Sequence, residues 1–387
     1  MTQNKKFLDL LFIISTYIVF ILVLAYVYNF DLSYFIQFSQ YTDINELPLK
    51  ISTTNNVGYD GQYYFRLAFN PFNIEEKYIG ISIGNATYRY SRLGYPILLW
   101  LFSFNQINLI IPISIILNFI SILLIYFINL RIFKHLNIDK TYLIAICLLP
   151  GFIFCIARSL PEIIEILFIS LYLLLYLKNK KFLFIIIASF AILIRETSIM
   201  FVLVIFIYDY LKNKGSFSSL YFSFPLFIYG IWILIIYSLF QESPFHTGFK
   251  LHFEPPFFGI FKMAGLFFSN NPISKQIVFL FEYIFLYSTI ILAFMSLKAS
   301  NLNPLIKYSF ILYAVYFLCL NPVVLSSDWA FMRIFLELNY LSSLLIFSVH
   351  NLYARIYKFF MIFILQFAIL RIIVDQFIEY FPEKTLF

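Results

Sequence analysis

Apolar runs separated by brief polar turns dominate the chain. The first, residues 7–28 after Lys5 and Lys6, is long enough to cross a bilayer core of roughly 30 Å at about 1.5 Å rise per residue. It exceeds the apolar region of a secretory signal and no small-x-small cleavage site follows it, so it predicts an uncleaved first span. Further spans are predicted at residues 107–130, 141–157, 161–177, 182–194, 197–211, 219–240, 274–297, 304–320, 333–350 and 357–374. This is the pattern of an all-α polytopic membrane protein, a single membrane domain over residues 1–387 with about 11 transmembrane helices. No fixed-period repeat occurs, and no polar stretch is large enough to bury a core of its own.

The alternation breaks twice. Hydropathy collapses from Asp31 to about Leu93, and the apolar run Ile97 to Phe104 is too brief to span. Residues 30–104 therefore form a long first loop carrying helices that lie along the interface. Residues 241–272 form a second loop, with an amphipathic stretch over 257–268. Connections this long are functional or disordered, and the aromatic content argues against disorder.

With 62% hydrophobic and 12% charged residues, the soluble globular class is excluded. The aromatic content of 22% is spread over every segment. That distribution suits lipid and its interfaces rather than a nucleic-acid stacking surface, and no nucleic acid is expected as a partner. The formal charge of +7 matters by location. Arg131, Lys134 and Lys140, Lys178, Lys180 and Lys181, Lys212 and Lys214, Lys298 and Lys307, and Arg355 and Lys358 occupy the turns on one side. A cytoplasmic N-terminus places all of them in the cytoplasm, as the positive-inside rule requires of a multi-pass protein of the plasma (inner) membrane. Cys147, Cys155 and Cys319 sit in or beside apolar runs, with neither a disulfide framework nor metal-ligand spacing.

Apart from Asp9, Asp139 and Asp209, nearly all the acidic residues then fall on the extracytoplasmic side. Acidic residues contribute little to insertion, so their gathering there points to chemistry. Three charge groups lie beside or inside apolar runs on that side: Arg158 with Glu162 and Glu165, Arg195 with Glu196, and Arg333 with Glu337. Each could be a structural ion pair between helices. Taken with Asp60, Arg89 and Arg92 of the first loop, they predict one outward-facing polar cavity. Asp60 has a simple alternative role, capping the helix that begins near Gly61. Guanidiniums near a lipid interface suit a phosphate ester with a lipid tail, and a carboxylate facing them suits a general base. The two together describe glycosyl transfer from a lipid-linked phosphosugar, in which one carboxylate suffices because a phosphate leaving group needs no protonation.

Tyr59-Asp60-Gly61-Gln62-Tyr63-Tyr64-Phe65-Arg66-Leu67-Ala68 resembles the aspartate-bearing first-loop motif of GT-C type membrane glycosyltransferases. The likeness is to bacterial cell-surface glycopolymer proteins and to the second mannosyltransferase of glycosylphosphatidylinositol assembly. Tyr88-Arg89-Tyr90-Ser91-Arg92-Leu93-Gly94-Tyr95-Pro96 is similar to the segment that closes that loop. Arg195-Glu196-Thr197-Ser198 resembles an Arg-Glu-Thr of the same group, and Arg158-Ser159-Leu160-Pro161-Glu162 sits where such chains carry a polar pair before a span. The match runs from the first span to Ser198; beyond it only the pattern of spans agrees.

The resemblance implies a GT-C-like bundle, a polyprenyl-phosphate-linked sugar donor, and a lipid or glycan acceptor among the membrane lipids. It makes Asp60 the catalytic base and puts Arg89, Arg92, Arg158 and Arg195 on the donor phosphate. Tyr59, Gln62, Glu162, Glu196, His246, His252, Glu254 and Arg333 are the candidates for substrate contact. A divalent metal is not indicated: Asp60 has no Asp-x-Asp or adjacent acidic partner, and His246, His252 and Glu254 fit no zinc spacing. Two other functions suit part of the pattern. A flippase or transporter for a lipid-linked sugar would call for paired repeats and midplane charges, and neither is seen. A glycan polymerase of the O-antigen type leaves the Tyr-Asp-Gly motif unexplained.

Overall fold

A computed structural model describes residues 3–244, 253–262, 273–325, 328–349 and 352–380. It is an all-α membrane protein, with one two-residue hairpin, β1 (Lys77–Tyr78) and β2 (Ile81–Ser82), as its only sheet among the described residues. Six stretches are long and apolar enough to cross a bilayer: Asn4–Val27, Ile107–Leu136, Lys140–Ala157, Phe217–Phe240, Gln276–Ala299 and Leu352–Gln376. Lys181–Ile194, Pro304–Leu318 and Leu336–Phe347 are apolar but shorter.

In chain order the helices are α1 (Gln3–Val27), α2 (Gly61–Phe69), α3 (Ala86–Tyr90), α4 (Gly94–Phe102), α5 (Ile107–Leu136), α6 (Leu143–Cys147), α7 (Gly151–Ala157), α8 (Glu162–Leu177) and α9 (Lys181–Ile194). They continue as α10 (Ser198–Lys212), α11 (Phe224–Phe240), α12 (Ile273–Ala299), α13 (Pro304–Leu318), α14 (Pro322–Leu325), α15 (Asp328–Ile334), α16 (Leu336–Phe347) and α17 (Leu352–Tyr380). In α5, Ser114, Asn118, Ser121 and Asn129 recur every three to eight residues on one buried face. Unpaired, such groups would be costly inside an apolar bundle. Asn118 Nδ2 donates to the Leu160 carbonyl at 3.2 Å and Asn129 Nδ2 to Ser170 Oγ at 3.2 Å, while Tyr340 donates to Asn129 Oδ1 at 2.9 Å. These bonds fix α5 against α8 and α16.

The span predicted at 141–157 is broken into a 3₁₀ turn at Lys140–Tyr142, α6 and α7. Pro150 supplies the reason: it has no N–H to donate and disfavours helical backbone at Leu149. Every residue from Leu148 to Ala157 is buried, so this stretch is the core of the bundle and not a lipid-facing helix.

The first loop is ordered. A 3₁₀ turn at Leu32–Phe35, capped by Asp31 accepting from Ser33 N at 2.9 Å, leads into α2, the hairpin, α3 and α4. Leu67, Ile83, Tyr90 and Leu93 of the loop form a small core with Ile236 of α11, and Trp232 donates to the Tyr90 carbonyl at 3.1 Å. The loop is therefore anchored to the bundle. In the second loop, His246, His252 and the second half of the amphipathic 257–268 stretch lie outside the described residues.

Candidate functional site

Asp60 stands at the entrance to α2, on a segment with little freedom. Gly58 has φ +72°, a conformation that disfavours any side chain, and a Cβ there would meet Gln37 O at 2.6 Å. A Cβ on Gly61 would lie 2.5 Å from the Arg158 carbonyl oxygen. That close approach seats α2 against the turn before α8. Gln62 holds the loop closed, accepting from Ser39 N at 3.0 Å and donating to the Val57 carbonyl at 3.1 Å. It is buried among these backbone groups and does not line the cavity described below.

The Asp60 side chain makes no capping bond. Its Oδ1 accepts from Arg89 Nη1 at 2.6 Å and its Oδ2 from Arg333 Nη2 at 2.7 Å. Arg89 belongs to α3 and lies over the Tyr63 ring at 4.1 Å; Arg333 belongs to the last turn of α15 and faces the Tyr59 ring at 5.1 Å. Such guanidinium–ring contacts help hold each fork in place. The second fork nitrogen of Arg333 donates to Glu162 Oε1 at 3.0 Å. Burial pushes the Asp60 carboxyl up, but the two guanidiniums more than reverse this and hold it well below the usual carboxylate range. Burial also pushes the Tyr59 phenol up, to about 12, so it stays neutral.

The other charges pair differently from their order in the chain. Arg195 Nη1 donates to Glu337 Oε1 at 2.9 Å and Glu165 Oε2 at 3.2 Å, and the Thr197 hydroxyl sits between the same two carboxyl groups at 2.7 and 2.8 Å. Glu196 turns away from Arg195 and takes both Nε and Nη2 of Arg92, with the Nε contact at 2.6 Å. Arg195 has extended backbone, φ −157° and ψ 127°, in which successive side chains point to opposite sides. The groups Arg195 with Glu196 and Arg333 with Glu337 are therefore corrected. Arg333 lies in the last turn of α15, Phe335 interrupts the helix, and Glu337 lies in the first turn of α16, so the four-residue spacing joins no common face.

Arg158 also departs from expectation. It pairs with neither Glu162 nor Glu165, lying instead over the Trp329 ring at 3.9 Å and donating to the Ala157 carbonyl at 3.2 Å.

Asp60, Arg89, Arg92, Arg195, Glu196 and Arg333 all line a cavity of about 560 Å³. Ile199, Met200, Phe253, Leu320, Val324 and Ile334 provide apolar lining. The cavity thus combines four guanidiniums and two carboxylates with a larger apolar lining. Among the described residues, the Nε–H groups of Arg89, Arg195 and Arg333 are buried without a hydrogen-bond partner.

No known protein family, characterised protein or solved structure matches this chain.

The geometry must therefore speak for itself. It brings Asp60, Arg89, Arg92, Arg195, Glu196 and Arg333 onto one surface, with Glu162 directly behind Arg333. Tyr59 precedes Asp60 and faces this group with its ring, 5.1 Å from the Arg333 guanidinium. Glu254 stands apart, its Oε1 accepting from Lys262 at 3.4 Å. Among the described residues, no three of His, Cys, Asp and Glu converge as a metal ion would require. The cavity also includes Tyr88, Tyr229 and Tyr316, which the charge pattern did not single out. Tyr88 had a local signal: it precedes Arg92 by four residues and its ring lies 4.1 Å from that guanidinium.

Proposed function

We propose that the protein transfers a sugar from a polyprenyl-phosphate donor to a hydroxyl of a lipid or glycan acceptor, with Asp60 as general base. In this reading it is a GT-C-like enzyme of the plasma membrane, with about 11 crossings and its active site on the extracytoplasmic face. The observation that carries the proposal is the Asp60 carboxylate held between Arg89 and Arg333 in a cavity that is also lined by hydrocarbon. A donor with a phosphate at one end and a polyprenyl chain at the other needs both kinds of surface.

The chemistry follows from charge. Asp60 takes the proton of the acceptor hydroxyl, the oxygen attacks the anomeric carbon, and the bond from that carbon to the phosphate oxygen breaks. The electron pair leaves with the phosphate, whose charge grows by one as a phosphodiester becomes a monoester. Guanidiniums arranged around the cavity stabilise that growth. A single direct displacement inverts the anomeric centre.

Asp60 is a weak base while both arginines hold it. The donor phosphate competes for the same guanidiniums, and drawing either one away makes the carboxylate more basic where the acceptor arrives.

The test is Asp60→Asn in purified protein, assayed with a panel of polyprenyl-phosphate sugars after its melting temperature confirms a folded chain. Transfer should fall by at least roughly 100-fold, the usual contribution of a positioned base. Undiminished transfer removes Asp60 from that role. Lipid movement between leaflets without sugar transfer, in the wild type, would favour a flippase.

A further inference from the structure

A second cavity lies at the opposite end of the bundle. Helices α1, α5 and α8 each have one terminus near the first-loop site and the other here, where Lys6, Arg131, Lys134, His135, Lys140 and Lys178 line a space of about 540 Å³. Four separate segments supply these side chains: the start of α1, the last turns of α5, the 3₁₀ turn after it, and the residue that ends α8. No carboxylate lines the cavity, and among the described residues none of its cations has an ion-pair partner. Asp9 and Asp139, the acidic residues closest in sequence, do not line it; Asp139 Oδ1 accepts from Thr141 N at 2.9 Å.

Two general effects account for part of this. Helix C-termini attract cations, which covers Lys134, His135 and Lys178 but neither Lys6 nor Lys140. The positive-inside rule requires basic turns, not their convergence on one hollow. Five formal charges gathered without a counter-charge repel one another, and an anion among them removes that penalty.

We propose that this cavity binds the phosphate group of an anionic membrane lipid. Its volume lies in the range of small-ligand sites, roughly 300–1,000 Å³. Phe7, Leu8 and Leu11 of α1 and Phe127 of α5 are exposed on the helices that bound it, giving acyl chains an apolar surface beside the headgroup. Basic hollows between membrane helices are a known way to hold lipid phosphates. A soluble diphosphate carries the same recognised chemistry, so the test must separate the two.

The full chain is reconstituted in phosphatidylcholine nanodiscs doped with phosphatidylglycerol, and the lipid retained is counted by native mass spectrometry after release. Wild type should retain phosphatidylglycerol over phosphatidylcholine. Arg131→Gln, Lys134→Gln and Lys178→Gln combined should weaken that retention on the order of 100-fold, and Lys134→Gln alone roughly fivefold should the combination not fold. Lys212→Gln with Lys214→Gln, which removes charge elsewhere, should leave it unchanged. Binding of inorganic pyrophosphate without lipid preference would keep the phosphate site and assign it to a soluble anion. Equal retention of both lipids with no pyrophosphate binding, or equal retention in wild type and the combined variant, overturns the proposal.

Discussion

A double-mutant cycle on Asp60 and Arg333 tests the arrangement without any knowledge of the substrate. The two side chains are 18% and 11% exposed and meet at 2.7 Å, so solvent screens their contact weakly. Arg333→Gln leaves Asp60 with Arg89 but removes the guanidinium on Glu162, a carboxylate that is almost fully buried. Removing one partner of a buried pair typically costs about 3–5 kcal/mol. An entropy of unfolding of roughly 2.1 cal/mol/K per residue over this length converts that loss to a fall of about 4–6 °C in apparent melting temperature. Asp60→Asn should cost somewhat less, because the amide oxygen still accepts from one of the two arginines and Arg333 keeps Glu162. The double variant should be more stable than the sum of the two losses predicts, by about 1–3 kcal/mol, the range for a charge-assisted hydrogen bond. The measurement is unfolding in detergent by intrinsic fluorescence. Additivity within about 0.5 kcal/mol would refute a direct pairing of Asp60 with Arg333.

Two more outcomes follow from the same geometry. The native Asp60 carboxyl is held below its unfolded value of about 3.9, so its stabilisation is fully present above that pH and is lost as pH falls toward the native value. The stability difference between wild type and Asp60→Asn should therefore be flat from about pH 8 to 5 and shrink below about pH 4; a difference that grows on acidification contradicts the clamp. Gly61→Ala improves helix propensity, yet its Cβ would lie 2.5 Å from the Arg158 carbonyl oxygen and 2.9 Å from that of Ile36. It should destabilise by about 1–3 kcal/mol and displace Asp60, seen as a lower melting temperature together with reduced transfer; a more stable variant would show that α2 is not seated there.

The apolar helices were legible because lipid and a protein core demand the same apolar runs, but among the described residues six stretches, not about 11, are long enough to cross, and the break at Pro150 was not foreseen. Burial was harder to read. An apolar run looks alike whether it faces lipid, as the exposed Phe7 and Leu22 of α1 do, or the protein core, as α7 does. Asp60 stood out as a carboxylate between two glycines. Arg89 and Arg333 were placed in the same cavity, but their direct pairing with Asp60 was not legible, because they lie 29 and 273 positions away. Sequence neighbours were a misleading guide to charge pairing: Arg195 and Glu196 adjoin in extended backbone that sends them apart, and the interruption at Phe335 separates Arg333 from Glu337. The second loop contributed least, since His246 and His252 lie outside the described residues and Glu254 pairs with a nearby lysine.

The 273 positions between Asp60 and Arg333 also set a schedule. Synthesis at about 5–20 residues per second separates their emergence by roughly 14 to 55 s. During that interval most of the helices enter the membrane while Asp60 waits with, at most, one of its two guanidiniums. A chain that stops early carries the acid but not the second arm of its clamp. The complete site is thus a late product of synthesis, because Arg333 follows most of the helices in the chain.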